Sequence, residues 1–170
     1  MKNLCANIAV NFRNKILSAA ASKVWRDELR TSGKKLVVTN GCFDLLHTGH
    51  VTYLEAARKL GDALLVGLNG DAGVRELKGE GRPINNENDR AMILSALEMV
   101  SAVQIFSEKT ASQFLKNVEP DIYVKGGDYA LETLNKEERN ILEELGAKII
   151  ILPIVPGRST SSTLEKISRL

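Results

Sequence analysis

The sequence predicts an α/β domain built on a doubly wound, mostly parallel five-stranded sheet with helices on both faces. Three observations carry that expectation. Short apolar runs alternate with amphipathic stretches at the spacing of strands joined by helical crossovers. The runs are continuously apolar rather than alternating, as strands covered on both faces require. Finally, glycine-rich and polar segments fall where those strands end, which is where an open α/β sheet binds ligands.

Taken in order, residues 1–14 have no clear period and are expected to be loosely ordered. Over 15–31, Ile16, Leu17, Ala20, Val24, Trp25 and Leu29 recur near helical spacing, and Gly33 offers a stop. This reads as a peripheral helix anchored by Trp25, which suits packing within one chain or a homodimer interface equally. Residues 1–34 are therefore an extension, and 35–170 the main domain. The first strand, 36–38, breaks into a glycine turn and a loop ending at His50, and a helix follows over 51–60. The second strand, 63–68, ends at Asn69-Gly70-Asp71 and gives a short helix to about Leu77. Lys78-Gly79-Glu80-Gly81-Arg82-Pro83 is a charged, glycine-rich loop and the segment expected to move. Asn85 or Asn86 caps a helix over 87–100. Strand 103–106, helix 111–117, strand 121–124, helix 135–145 closed by Gly146, and strand 148–152 complete the alternation. A terminal helix opens within 159–162. The pattern is Rossmann-like.

Composition narrows the function. Apolar content of 44% and charged content of 26% are ordinary for a globular protein, and a net charge of +2 gives no electrostatic case for nucleic acid or membrane. No apolar run approaches the ~20 residues of a membrane span, and asparagines interrupt the N-terminal stretch where a signal peptide would be apolar. Two cysteines, Cys5 and Cys42, form neither a disulfide framework nor a metal cluster. A reducing cytoplasm is the expected location, and no protein-held metal site is expected.

The residues that carry chemistry collect at the strand ends. The only two histidines, His47 and His50, flank Gly49 at a helix entrance, after Asn40-Gly41-Cys42-Phe43-Asp44. Unpaired backbone N–H groups and the helix dipole favour an anion there, and two imidazoles can donate to the same phosphate. Asn69 and Asp71 follow the second strand, Lys125, Gly126 and Asp128 the fourth, and Arg158, Ser159, Thr160, Ser161 and Ser162 the fifth. Each segment alone reads equally well as a turn or cap; their meeting on one sheet edge is what points to a ligand. Lys78, Arg82, Arg90, Lys125 and Arg158 are candidate phosphate clamps. No GxxxxGK[ST] loop is present, no GxGxxG follows the first strand, and no Ser or Cys is set with a base as a nucleophile. Positioning and charge stabilisation of a phosphate-bearing ligand remain.

The GxFD-to-HxGH segment resembles the HxGH nucleotidyltransferases. Together with Leu77-Lys78-Gly79, Arg82-Pro83-Ile84-Asn85, Val124-Lys125-Gly126-Gly127-Asp128-Tyr129 and Ser159-Thr160-Ser161, it is similar to the adenylyltransferase domain of bacterial ADP-heptose synthase over roughly residues 15–170. That resemblance implies transfer of AMP from ATP to D-glycero-β-D-manno-heptose 1-phosphate, with Mg²⁺ on the phosphates. It implies catalytic roles for His47, His50 and Lys78. It gives nucleotide-binding roles to Asn40, Gly41, Cys42, Phe43, Gly49, Asn69, Lys125, Gly126, Asp128 and Ser159 to Ser162. Asp44, Asp71, Arg82, Arg90 and Arg158 are weaker candidates for the acceptor, and Asp44 also suits fixing the loop. Many such relatives carry a sugar kinase ahead of this domain, which 14 loosely patterned residues and a helix cannot supply. Two readings stay open beside it: a cytidylyltransferase acting on glycerol 3-phosphate or a similar small alcohol, and a nucleotide-binding regulatory module without turnover.

Overall fold

Five apolar runs become five parallel strands: β1 (Leu36–Gly41), β2 (Ala63–Asn69), β3 (Ala102–Phe106), β4 (Ile122–Gly126) and β5 (Lys148–Leu152). A computed structural model describes residues 11–127, 133–153, 157 and 160–169, without the side chains of Ser161 and Ser162. The sheet order is β3-β2-β1-β4-β5, with every neighbouring pair parallel. Chain direction across the sheet therefore reverses between β1 and β4. A crevice opens at their carboxyl ends, because the connections leaving these two strands depart to opposite sides.

Two layers bury the sheet. On one face α2 (Thr48–Arg58) and α4 (Glu87–Ser95) contribute Tyr53, Leu54, Ala57, Ala91 and Leu94 against Val37, Leu64, Val66 and Val124. On the other, α5 (Ser112–Val118) and α6 (Lys136–Glu144) contribute Phe114, Leu115, Ile141 and Leu142 against Val38, Leu65 and Tyr123. Residues 36–38 and 64–66 are fully buried, which is why their sequence is continuously apolar. The remaining helices are α1 (Ala19–Thr31), α3 (Asp71–Lys78) and α7 (Thr160–Ile167).

The N-terminal region is more tied down than its pattern suggests. Residues 1–10 lie outside the described residues, but Phe12–Lys15 forms a 3₁₀ turn, and Ile16 bridges to Val103 at the edge of β3. Helix α1 starts at Ala19 rather than 15, with the Ser18 hydroxyl accepting from the Ala21 amide. It ends at Thr31, and Gly33 just beyond, with a φ of +68°, is the left-handed stop expected of glycine. Trp25 packs on the second core layer. Beside it Arg26, 2% exposed, donates to the Glu119 carbonyl and to Asp121 Oδ1, both at 2.9 Å. Asp121 Oδ2 in turn accepts the Leu36 amide, so one ion pair ties α1 to the starts of β1 and β4.

Helix α2 begins at Thr48 rather than 51, and α4 ends at Ser95 rather than 100. Glycine and histidine hid the first turn of α2. Beyond α4, Leu97 and Val100 bond three residues back in tight turns while staying apolar, which mimics helical periodicity. Asn86 caps α4, its side chain accepting from the Asp89 amide, while Asn85 serves the loop instead. Among the described residues no helix is long and apolar enough to cross a membrane.

Candidate active site

The crevice at the β1/β4 switch is a cavity of about 650 Å³. The loop after β1 forms its floor. Phe43 has a φ of +43°, a conformation rarely adopted by a bulky side chain. Its buried ring is 5.3 Å from that of His50, and a Cβ at Gly41 would sit 3.1 Å from Phe43 Cε2. Glycine at 41 lets the strained turn lie flat against the aromatic ring.

His47 is the N-cap of α2, its carbonyl accepting from the His50 amide at 2.9 Å. The two imidazoles stack with centroids 3.9 Å apart and planes 23° from parallel. Burial, reinforced by the neighbouring His47 ring, lowers the pKa of His50 to about 4. His50 is thus a neutral imidazole at the positive end of a helix, beside first-turn amides that lack intrahelical acceptors. The far end of the chain meets it: the Thr160 hydroxyl, at the start of α7, donates to the Leu45 carbonyl at 3.3 Å.

Behind the histidines, Tyr53 fills the space under β4. Its hydroxyl donates to the Val124 carbonyl at 3.0 Å and shares a 2.7 Å hydrogen bond with Thr39 Oγ1. Burial pushes its pKa well above the ordinary tyrosine value. A Cβ on Gly126 would sit 2.7 Å from the tyrosine ring, so β4 needs a glycine there. On the opposite sheet face Asn40 Oδ1 accepts from the Tyr123 hydroxyl at 2.6 Å and from Lys125 Nζ at 2.8 Å. Burial lowers the pKa of Lys125, and burial likewise raises that of Cys42, keeping its thiol protonated and unsuited to nucleophilic work.

The structure brings most of the expected residues together. Asn40, Gly41, Cys42, Phe43 and Asp44 line the cavity with His47, Gly49 and His50. Asn69, Lys78, Arg82, Lys125, Gly126 and Thr160 complete the set. Lys78 is exposed and makes no ion pair with any described residue, so it faces the cavity as an available cation. Asp44 is 4% exposed; Oδ1 accepts the amides of Ile84 and Asn85, and Oδ2 pairs with Arg82 Nε at 2.8 Å. It fixes the loop that carries Arg82, in agreement with one of its two expected roles.

Two expected ligand contacts fall elsewhere. Arg90, expected as a phosphate clamp, is 1% exposed and lies within the wall. Its guanidinium donates to the carbonyls of Cys42, Asn69 and Asn85 and pairs with Asp71 at 2.7 Å, which commits four of its five N–H groups to its own fold. Asp71 is not among the lining residues; its carboxylate is committed to Arg90, and its amide donates to Glu87 Oε2 at 2.7 Å. That carboxylate occupies the start of α3. Asp128, Arg158 and Ser159, with the side chains of Ser161 and Ser162, lie outside the described residues. The sequence reading missed Tyr53, Lys109, Thr110, Asn135 and Glu138. Only Asn135-x-x-Glu138 left a signal, the spacing of a capping box at a helix start.

Residues 38–166 match a family described as cytidylyltransferase-like. The bifunctional protein HldE of Citrifermentans bemidjiense is 50% identical over 153 residues, covering 90% of this chain and 31% of that protein. HldE of Wolinella succinogenes is 45% identical, covering 91% of this chain and 31% of its own length. The chain thus spans about a third of the length of these relatives. Among solved structures, the lipopolysaccharide core biosynthesis protein from Thermoplasma volcanium is 30% identical, with a TM-score of 0.60 over 72% of this chain and 98% of that one. Pantoate-β-alanine ligase from Francisella tularensis, at 14% identity and a TM-score of 0.57, covers 91% of this chain and 79% of its own, and shares the fold alone.

Proposed function

The chain belongs to the cytidylyltransferase-like family and is a nucleotidyltransferase, and from that premise we propose that it transfers AMP from ATP to D-glycero-β-D-manno-heptose 1-phosphate, giving ADP-heptose and pyrophosphate. The observation that carries the chemistry is the stacked pair of histidines at the start of α2, with Lys78 lining the same cavity. The choice of donor and acceptor rests on the ADP-heptose synthase motifs and is supported by the HldE relatives.

A phosphate oxygen of the sugar attacks the α-phosphorus in line, the bond to the α,β-bridging oxygen breaks, and pyrophosphate leaves. The attacking oxygen is already anionic, so no general base is needed and no covalent enzyme intermediate forms. His50 Nδ1 is buried with no hydrogen-bond partner among the described residues, so Nε2 is the nitrogen left to carry a proton to a phosphate oxygen. His47 stands beside it, and Lys78 closes over the charge that develops between entering and leaving oxygens. Thr160 and the first turn of α7 hold the departing phosphates, and Asn40, Lys125 and Gly126 border the nucleoside.

Mg²⁺ would neutralise charge on the triphosphate. Among the described residues no group of three or more His, Cys, Asp or Glu side chains could hold it, and Asp44 is committed to Arg82 and loop amides. Substrate oxygens and water are its natural ligands. Soluble substrates of this kind suit a cytoplasmic enzyme.

Pyrophosphate release with Mg²⁺, crossing ATP, CTP and GTP with heptose 1-phosphate and glycerol 3-phosphate, tests the reading. Release only from ATP with the heptose is expected. Release from CTP with glycerol 3-phosphate would overturn the substrates, and silence in every pairing would overturn the catalysis.

A further inference from the structure

Arg82 lines the cavity, and the chemistry above does not use it. It stands in the loop between α3 and α4, with its side chain 16% exposed. Nε pairs at 2.8 Å with Oδ2 of the buried Asp44 carboxylate. Asp44 Oδ1 holds the same loop, accepting the Ile84 and Asn85 amides at 2.7 and 3.1 Å. Arg82 Nε is buried, whereas neither terminal nitrogen of the guanidinium is closed off or has a hydrogen-bond partner among the described residues. The exposed part of the side chain is therefore its fork, the four N–H groups on Nη1 and Nη2. Asp44 needs only one donor from residue 82, which a lysine would supply, so the fork is surplus to that pair.

Chemistry names the ligand class. A guanidinium presents parallel N–H donors that match two oxygens of a phosphate, and a stem held in advance lowers the ordering cost of binding. Asp44 adjoins Leu45, whose carbonyl takes the Thr160 hydroxyl, and lies three residues before His47. The fork thus shares its cavity with the groups given to phosphates above, and Lys78, at the end of α3, lines it too. We propose that Arg82 is a phosphate-binding residue, seated by Asp44, whose fork holds a phosphate of the triphosphate or of the phosphorylated acceptor. The inference takes its substrates from the reaction proposed above, but the fork is open to test without turnover.

Arg82→Lys separates the two roles, since one ammonium can serve Asp44 or a phosphate but offers no fork. The variant should melt near the wild-type temperature and raise one KM about tenfold or more. A rise for ATP assigns the fork to the triphosphate, and a rise for heptose 1-phosphate assigns it to the acceptor. Both KM values within about twofold of wild type would overturn the proposal and leave Arg82 a partner of Asp44 only. If wild-type protein is silent with heptose 1-phosphate, the reaction falls, and the Kd of ATP by calorimetry decides the fork. A rise of about tenfold in the variant would uphold it, and an unchanged Kd would overturn it. If the variant fails to fold, the Arg82 side-chain ¹⁵N signals of the wild type are followed as ATP and then heptose 1-phosphate are added. A shift of the Nη signals is then expected, and none with either compound would contradict the fork.

Discussion

Burial and a second imidazole both act against the protonated form of His50, holding its pKa near 4 against an ordinary 6.5. Between those values the unfolded chain binds a proton that the folded chain refuses, so this residue's contribution to stability falls as pH drops from 6.5 toward 4 and is constant above 6.5. An NMR titration of the free protein should show the His50 Cε1–H signal moving with a midpoint near pH 4; a midpoint near 6.5 would mean that the ring is solvated. The histidine pair was legible in the sequence because both histidines sit in one motif after one strand. Arg90 was misread for the opposite reason: a cationic residue on a helix does not reveal whether it faces a ligand or the backbone carbonyls of its own fold. Tyr53 was invisible because its partner, Val124, lies 71 residues away, and the capping spacing of Asn135 and Glu138 gave no sign that the Glu138 carboxylate reaches Ala111, 27 residues away.

At the scale of elements, the wall of the site depends on the α4 arginine. Arg90 joins the end of β1 at Cys42, the end of β2 at Asn69, the loop at Asn85, and the first residue of α3. Arg90→Ala would leave these carbonyls and the Asp71 carboxylate without their shared donor. We expect a loss on the order of 3 kcal/mol of stability in urea unfolding. A change below about 0.5 kcal/mol, the scale of an ordinary surface substitution, would mean that water replaces the guanidinium. Strand positions and most helices were readable from apolar runs and from glycine or asparagine at their ends. Boundaries failed where function or tight turns intervened: at α2, whose first turn is built from site residues, and beyond α4, where tight turns continue an apolar pattern.

Across the whole molecule, the order β3-β2-β1-β4-β5 is what turns dispersed motifs into one site. The histidine loop follows β1, and Lys125 and Gly126 end β4; pairing these strands sets the two motifs side by side although they lie some eighty residues apart in sequence. The rule that open sheets bind at the carboxyl ends of their strands made this edge predictable. The Arg26 clamp was not, since nothing in an amphipathic pattern distinguishes a buried ion pair from a solvated face.

The central claim is that this switch point presents the neutral imidazole of His50 to a reacting phosphate, and turnover of His50→Ala tests it most directly. Preorganised donors of this kind are worth about 2.7–4 kcal/mol each, so kcat should fall at least about a hundredfold while the melting temperature stays near that of the wild type. A folded variant with near-normal kcat would contradict the account.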